Sequence, residues 1–189
     1  MSGEKTAELG SELSDMFSDN NLNLTVLYDH EPINKRKKDW HAVPAYIRED
    51  GYPKRARSLS QIDIAIVNEN KALVLCEIEE KGAVPKQMIG DVGNLLLADY
   101  IEFGSKEYSI DGAHIVFGFT PLNNNSEKQR TRNVTRQSEI KANLVKKRIE
   151  QRFGMSRMTI AVIFREDADD LKNAVKKYIF NYLTQNGKK

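Results

Sequence analysis

The sequence predicts an α/β protein in which a mixed central β-sheet is flanked by helices. Short apolar runs typical of strands alternate with longer segments whose apolar residues recur at helical spacing. Strands and helices that alternate along a chain are typical of this fold class. The 189 residues are enough for one domain with a substantial core, and no linker or repeat divides them. We therefore expect a single domain over residues 1–189.

Each element follows from a local pattern. Leu9, Leu13 and Phe17 recur at helical spacing and predict an amphipathic first helix. Two apolar runs joined by the polar stretch 68–71 predict a β-hairpin. In chain order, the predicted elements are a helix over 4–18, strands over 22–28 and 42–48, hairpin strands over 60–67 and 72–81, a helix over 86–103, a strand over 112–119, a helix over 127–153, a strand over 158–164 and a helix over 167–183.

The predicted helix after the hairpin has a broad apolar surface and a narrow polar stripe. Gln87, Asp91 and Asn94 form the stripe at spacings of four and three residues. Gly90 and Gly93 weaken a helix intrinsically. We expect packing to support this helix, and a close approach to the sheet is one reason for glycine at these positions.

Composition excludes several classes of protein. Basic and acidic residues nearly balance, with a net charge of +2, so overall charge does not indicate nucleic-acid binding. The single cysteine, Cys76, excludes a disulfide framework. No apolar run approaches the length of a membrane span, and the N-terminus has no apolar signal-peptide region. We expect a cytoplasmic protein with no membrane partner.

The second strand of the hairpin combines apolar and charged residues on one face. Side chains alternate along a strand, so Leu73, Leu75, Glu77, Glu79 and Lys81 are expected to share a face. That face begins apolar and ends as two carboxylates and an ammonium group.

The first strand of the hairpin carries an acid, Asp63, between Ile62 and Ile64. An acid in an apolar strand costs several kcal/mol unless something compensates it. A bound cation is one such compensation, because Mg²⁺ typically takes one or two carboxylates together with water and phosphate oxygens. Asp63 and Glu77 on neighbouring strands are candidates for those ligands, and Glu79 projects from the same face.

An acid, a hairpin and an apolar run that ends in an acid-x-lysine pattern resemble the PD-(D/E)XK nuclease superfamily, which includes many restriction endonucleases. Two registers fit. In one, Glu79-Glu80-Lys81 supplies the second acid and the lysine. In the other, which we prefer, the second acid is Glu77 and Glu79 stands where the lysine usually stands. The residue between the two functional positions is normally apolar in the family, and Ile78 fits better than Glu80. The family's proline before the first acid is absent, since Asp63 follows Gln61-Ile62.

The resemblance implies a fold and a set of roles. The fold is a restriction endonuclease-like αβββαβ core, here with a C-terminal helix-strand-helix extension. The catalytic residues would be Asp63, Glu77, Glu79 and Lys81. Asp63, Glu77 and Glu79 would be the metal ligands, and Mg²⁺ the cofactor. Glu12 on the first helix is a further acid that reaches the metal in some members, although a surface acid is the commoner outcome.

Two segments are locally basic. Residues 34–57 hold eight Lys or Arg against three acids, and residues 127–153 hold nine against three. Both excesses suit contacts with phosphate groups, although a charged solvent-exposed surface is the common alternative. The residues that we expect to bind DNA are Arg55, Arg57, Gln87, Arg130, Arg132 and Arg136, of which Gln87 rests on the resemblance.

The resulting hypothesis is a Mg²⁺-dependent DNA endonuclease, most simply a small type II-like restriction enzyme. Two alternatives remain. One is a repair or recombination nuclease that acts on branched or damaged DNA, and the other is a nuclease-like DNA-binding module without catalysis. A homodimer is one assembly that the resemblance allows. His114 is expected to be a core residue with satisfied hydrogen bonds, and base stacking by Tyr46 is less expected than packing.

Overall fold

The computed structural model describes residues 4–28, 43–79, 85–120, 146–147 and 158–186, except the side chains of residues 85–88. This part of the chain contains nine strands and four helices, which confirms the α/β class. The elements are α1 (Glu4–Asp19), β1 (Thr25–Tyr28), β2 (Val43–Tyr46), α2 (Lys54–Arg57), β3 (Ser58–Ile62), β4 (Ile64–Asn68), β5 (Lys71–Glu79), α3 (Pro85–Leu97), β6 (Tyr100–Phe103), β7 (Lys106–Ser109), β8 (His114–Phe119), β9 (Thr159–Phe164) and α4 (Ala168–Asn186).

Five strands in the order β1-β4-β5-β8-β9 form the central part of a mixed sheet. β4 pairs antiparallel with both β1 and β5, and β8 pairs parallel with both β5 and β9. The β4–β5 hairpin is the predicted one, and Glu69 in its turn has a positive φ of 51°. The predicted mixed sheet flanked by helices is confirmed.

The remaining four strands form a smaller antiparallel wing in the order β7-β6-β2-β3. A single residue pair, Lys71 with Ser109, joins the wing to β5. The β6–β7 hairpin corrects the prediction of a helix over 86–103, because α3 ends at Leu97. Tyr100 and Ile101 continue the apolar pattern of the helix, but both are buried in the wing as strand residues.

The sheet separates two apolar clusters. One contains Leu9 and Leu13 of α1 and Leu171 and Val175 of α4, packed on one face of the central strands. The other lies between the opposite face, α3 and the wing, and its members include Val92, Leu95, Leu75, Phe117 and Ile101. Glu77 comes two residues after Leu75 on β5. It therefore lies on this second face, because side chains two residues apart on a strand point to the same side.

A β-bulge corrects the predicted face of Leu73. The β4–β5 register shifts by one residue between Ile66 and Val67, so that Ala72 pairs with Val67 and Val74 with Ile66. Leu73 is the extra residue and packs with the cluster under α1 and α4. Leu75 packs on the α3 face, so the two leucines do not share a face.

The glycines of α3 do not mark a close approach to the sheet. A Cβ built on Gly90 or Gly93 meets no atom within 4 Å. Neighbouring apolar side chains of α3 are also exposed, with Ile89 at 50% and Leu97 at 59%. The expected packing reason for these two glycines is therefore wrong.

The last predicted elements are partly described. β9 and α4 match the predicted strand and final helix, and Asp167 caps α4 by accepting a hydrogen bond of 2.8 Å from the backbone N–H of Asp170. The predicted helix over 127–153 lies outside the described residues except for Lys146 and Lys147, which are helical. None of the helices in the described ranges combines the length and hydropathy that a membrane span requires.

Candidate active site

Asp63 lies at a break in the predicted strand over 60–67. β3 ends at Ile62 and pairs with β2, whereas β4 begins at Ile64 and pairs with β5. Since β4 begins opposite Cys76, the backbone N–H of Ile78 has no partner from β4. The Asp63 carboxylate accepts a hydrogen bond of 2.8 Å from that N–H. The Asp63 carboxylate thus takes the place of a backbone acceptor from β4, and this hydrogen bond holds the side chain against β5.

Glu77 is the most deeply buried acid among the described residues, at 9% exposure. It pairs with Phe117 of β8 and lies on the α3 face of the sheet. Burial raises the pKa of Glu77 well above its ordinary value, and the charges of Asp63, Asp91 and Glu79 raise this pKa further. A backbone hydrogen bond from Asp63 acts in the opposite direction. The structure therefore brings Asp63 and Glu77 together, as the hairpin predicted.

Glu79 is the last residue of β5 and is partly buried. It pairs with Phe119 of β8, two residues beyond the pair formed by Glu77. The two acids therefore belong to the same face of β5. Its backbone carbonyl accepts a hydrogen bond of 3.1 Å from the N–H of Thr120. Lys81 lies outside the described residues, so the choice between the two registers stays a prediction.

Asp91 of α3 is a fourth acid near the site. Its side chain is partly buried, and burial raises its pKa. Leu95, one helical turn further along, is fully buried in the cluster on the α3 face. The sequence had indicated Asp91 only as a member of a polar stripe. Asp91 comes four residues before the buried Leu95. This spacing places Asp91 on the same side of α3 as Leu95, and it could have been read from the sequence.

The chemistry of these groups fits a hard cation. Among the described residues, every charged side chain that shifts the pKa of Glu77 is an acid. Carboxylate oxygens suit Mg²⁺ rather than soft metals. Within the described ranges, no group of three or more His, Cys, Asp or Glu is arranged to hold a metal ion.

Other candidate residues lie away from this cluster. Glu12 on α1 accepts hydrogen bonds from Lys172 and Lys176 of α4, so it is not an acid of the site. His114 is buried. Its ring nitrogens contact Thr159 Oγ1 at 2.5 Å and the Tyr178 hydroxyl at 2.9 Å. The prediction of a core histidine with satisfied hydrogen bonds is confirmed.

The predicted DNA-binding residues are described only in part. Arg55 is exposed on α2, and Arg57 at the end of α2 is partly buried. Gln87 belongs to α3, but its side chain is not described. Arg130, Arg132 and Arg136 lie outside the described residues. Tyr46 is buried and stacks on Tyr100, with 5.3 Å between ring centroids, which confirms packing rather than base stacking.

Comparisons of the chain with protein-family models, curated proteins and solved structures give no significant match. The functional interpretation therefore depends on the geometry of the acids and on the fold.

Proposed function

We propose that the protein is a Mg²⁺-dependent endonuclease that hydrolyses phosphodiester bonds of DNA, most simply as a type II-like restriction enzyme. The observation that carries the proposal is the buried carboxylate of Glu77, with Asp63 beside it and no described basic partner. Such a group costs free energy in the fold unless a cation compensates it. Paired carboxylates that share a cation with phosphate oxygens are a common arrangement for phosphoryl chemistry.

The order of elements supports the same proposal. With the wing strands set aside, the chain runs α1, β1, β4, β5, α3 and β8, with two antiparallel pairings followed by a parallel one. This is the order of the αβββαβ core that the acid pattern resembles. In that arrangement Asp63 and the end of β5 flank the same point of the sheet.

Each acid has a role in the proposal. Asp63 and Glu77 hold the cation, and the backbone N–H of Ile78 fixes the orientation of Asp63. Bound Mg²⁺ supplies charge neutralisation at the phosphate and activation of water. Glu79 orients the attacking water or accepts its proton. In the other register, Glu79 is the second acid that holds the cation, and Lys81 orients the attacking water or accepts its proton.

The basic residues supply the substrate contacts in this proposal. Arg55 and Arg57 contact DNA phosphates beside the acids, Gln87 contacts DNA or metal-bound water from α3, and Arg130, Arg132 and Arg136 contact DNA from the second basic segment. Phosphate contacts of this kind add affinity without sequence selectivity.

Cleavage of a supercoiled plasmid of mixed sequence tests the proposal. Incubation with Mg²⁺ should convert the plasmid into discrete fragments, and chelation of the metal should stop the reaction. Nicking confined to branched or damaged DNA would favour a repair nuclease instead. Binding without any cleavage, under conditions where the protein is folded, would leave a non-catalytic DNA-binding module.

A further inference from the structure

One side of α3 is apolar and open to solvent. Ile89 and Leu97 are 50% and 59% exposed, and they are two of the three large hydrophobic side chains that are exposed in the described part of the chain. Ile89, Gly93 and Leu97 follow one another at four-residue steps, so they lie along the same side of the helix, with Gly90 beside them. We call these four residues the outer face of α3. A surface helix normally directs polar residues to this side, so an apolar outer face is a candidate interface.

The two glycines make the middle of the outer face flat. A Cβ built on Gly90 or Gly93 meets no atom within 4 Å, so no neighbouring group within the chain requires the missing side chain. Glycine also destabilises a helix relative to alanine. What glycine does allow at such a position is the close approach of another backbone.

The outer face is symmetric about Gly93. Ile89 comes four residues before Gly93, and Leu97 comes four residues after it. If two copies of the helix pack antiparallel about a two-fold axis at Gly93, Ile89 of each copy lies beside Leu97 of the other and the two glycines meet. In such an isologous contact the same patch serves both subunits. A pattern of large, small and large residues is therefore complementary to itself.

The charges along α3 favour the same arrangement. The outer face itself is uncharged, so two copies do not repel each other across the axis. Lys86 belongs to the first turn of α3, and the exposed Asp99 follows the end of the helix. Antiparallel packing brings the first turn of one helix beside the end of the other, so that a base and an acid approach each other at both ends of the contact. Opposite charges placed in this way fix the register of an interface.

The length of α3 limits the strength of the contact. The helix has 13 residues and is about 20 Å long. An interface confined to it is smaller than the roughly 800 Å² per partner of a standard stable complex. We infer that the outer face of α3 is a self-association surface, on which a second copy of the chain packs its own α3 antiparallel to form a two-fold dimer that dissociates on dilution. The inference does not depend on the proposed function.

Sedimentation velocity of the full chain from about 1 µM to about 1 mM tests the inference, since a small interface is expected to have a dissociation constant in this range. The wild type should change from monomer to dimer. Leu97→Gln should raise the dissociation constant about ten-fold or more, because two apolar contacts are lost in each dimer. Tyr52→Gln is the matched control. Tyr52 is 62% exposed and lies outside α3, so this variant should associate as the wild type does.

Two charged variants test the antiparallel register. Ile89→Lys and Leu97→Glu should each be monomeric over the same range, because each homodimer would bury two charges without partners. When the two variants are mixed in equal amounts, a heterodimer should form. In it one introduced lysine faces one introduced glutamate, and one original contact between Ile89 and Leu97 remains.

Gly93→Ala separates association from folding. Alanine favours the helix, and the space around Gly93 is open, so the Tm at low concentration should rise. The same methyl groups would meet at the two-fold axis and hold the helices apart, so the dissociation constant should rise by several-fold. A defect in folding would lower the Tm and therefore cannot produce this pair of results.

Three outcomes would overturn the inference. The wild type stays monomeric up to 1 mM, which would leave the outer face to a different protein. Ile89→Lys and Leu97→Glu each dimerise as the wild type does. The two variants, shown by thermal unfolding to be folded, stay monomeric when they are mixed. A dimer that does not cleave DNA would remove the proposed function alone, and a monomer that cleaves DNA would remove the self-association surface alone.

Discussion

At the residue scale, the ionised carboxylate of Glu77 opposes folding. Its pKa is raised by burial and by neighbouring acids, so the folded state favours the protonated form. The contribution of Glu77 to stability is therefore most favourable below the ordinary pKa of a glutamate, about 4.3, and it is lost as the pH rises through the raised value. A site that binds a cation at neutral pH would retain such a residue despite its cost.

This cost predicts that Glu77→Gln is more stable than the wild type at neutral pH without metal. Glutamine has nearly the same shape and carries no charge to desolvate. The advantage in Tm should shrink as the pH falls toward that at which Glu77 is protonated, with each 1 kcal/mol worth about 2–4 °C in a chain of this size. Adding Mg²⁺ should raise the Tm of the wild type but not that of the variant. A lower Tm of Glu77→Gln at neutral pH would show that the carboxylate stabilises the fold.

The two registers predict different losses of cleavage rate when Glu79 or Lys81 is replaced. If Glu77-Ile78-Glu79 is the functional set, Glu79→Ala should lower the single-turnover cleavage rate by orders of magnitude, and Lys81→Ala should mainly weaken DNA binding. Lys81 would lie about 13 Å along a continued strand from Glu77, too far for both to serve one phosphate. An inactive Lys81→Ala beside an active Glu77→Ala would establish the Glu79-Glu80-Lys81 register.

His114 predicts a loss of stability in mild acid. Burial, and then the charge of Lys146, lower its pKa to about 4. Because the unfolded histidine has a pKa of about 6.5, the fold loses this contribution as the pH falls from about 6.5 toward 4. The free energy of unfolding should fall more steeply over that range for the wild type than for His114→Asn, measured by urea unfolding at several pH values. Equal slopes would exclude His114 as the titrating group, since the acids contribute to both proteins alike.

At the element scale, the hairpin and the proximity of its two acids could be predicted from the sequence. The polar residues 68–71 fix where the chain turns, and the antiparallel pairing that follows brings Asp63 near Glu77, with the bulge at Leu73 shifting the register by one residue. The break at Asp63 could not be predicted, because Ile62 and Ile64 continue the apolar pattern although they belong to strands with different partners.

The errors at α3 have a similar origin. Tyr100 and Ile101 fit a helical pattern, and only their pairing with β2 shows that they belong to a strand. Pairing between distant segments is tertiary information, which a local period does not contain. The proximity of Asp91 to Glu77 could not be predicted for the same reason, since it depends on how α3 packs on the sheet.

The glycines of the helices predict opposite effects of the same substitution. A Cβ on Gly10 of α1 would lie 2.3 Å from Cγ of Tyr28, so Gly10→Ala should force the ring to move and cost about 1–3 kcal/mol. A Cβ on Gly90 of α3 meets nothing within 4 Å, so Gly90→Ala should stabilise the fold by up to about 1 kcal/mol. Thermal unfolding of the two variants checks both signs. A stabilising Gly10→Ala would contradict the tight contact between α1 and β1.

At the scale of the whole molecule, the two faces of the sheet differ in how they treat charge. On the face covered by α1 and α4, Glu12 is neutralised by Lys172 and Lys176. On the face covered by α3, burial raises the pKa of Glu77, and the nearby charges of Asp63, Asp91 and Glu79 raise it further. The first arrangement ties two helices together, and the second suits a cation and a phosphate group. The central claim is that this second face is catalytic.

The most direct test of that claim is single-turnover cleavage of DNA in Mg²⁺ by three proteins: the wild type, Glu77→Gln and Glu12→Gln. The two variants make the same chemical change on opposite faces of the sheet, and thermal unfolding establishes that both are folded. We expect the wild type and Glu12→Gln to cleave at similar rates, whereas Glu77→Gln should be slower by orders of magnitude and should still bind DNA in Ca²⁺. Cleavage by Glu77→Gln at the wild-type rate would show that the face covered by α3 is not catalytic.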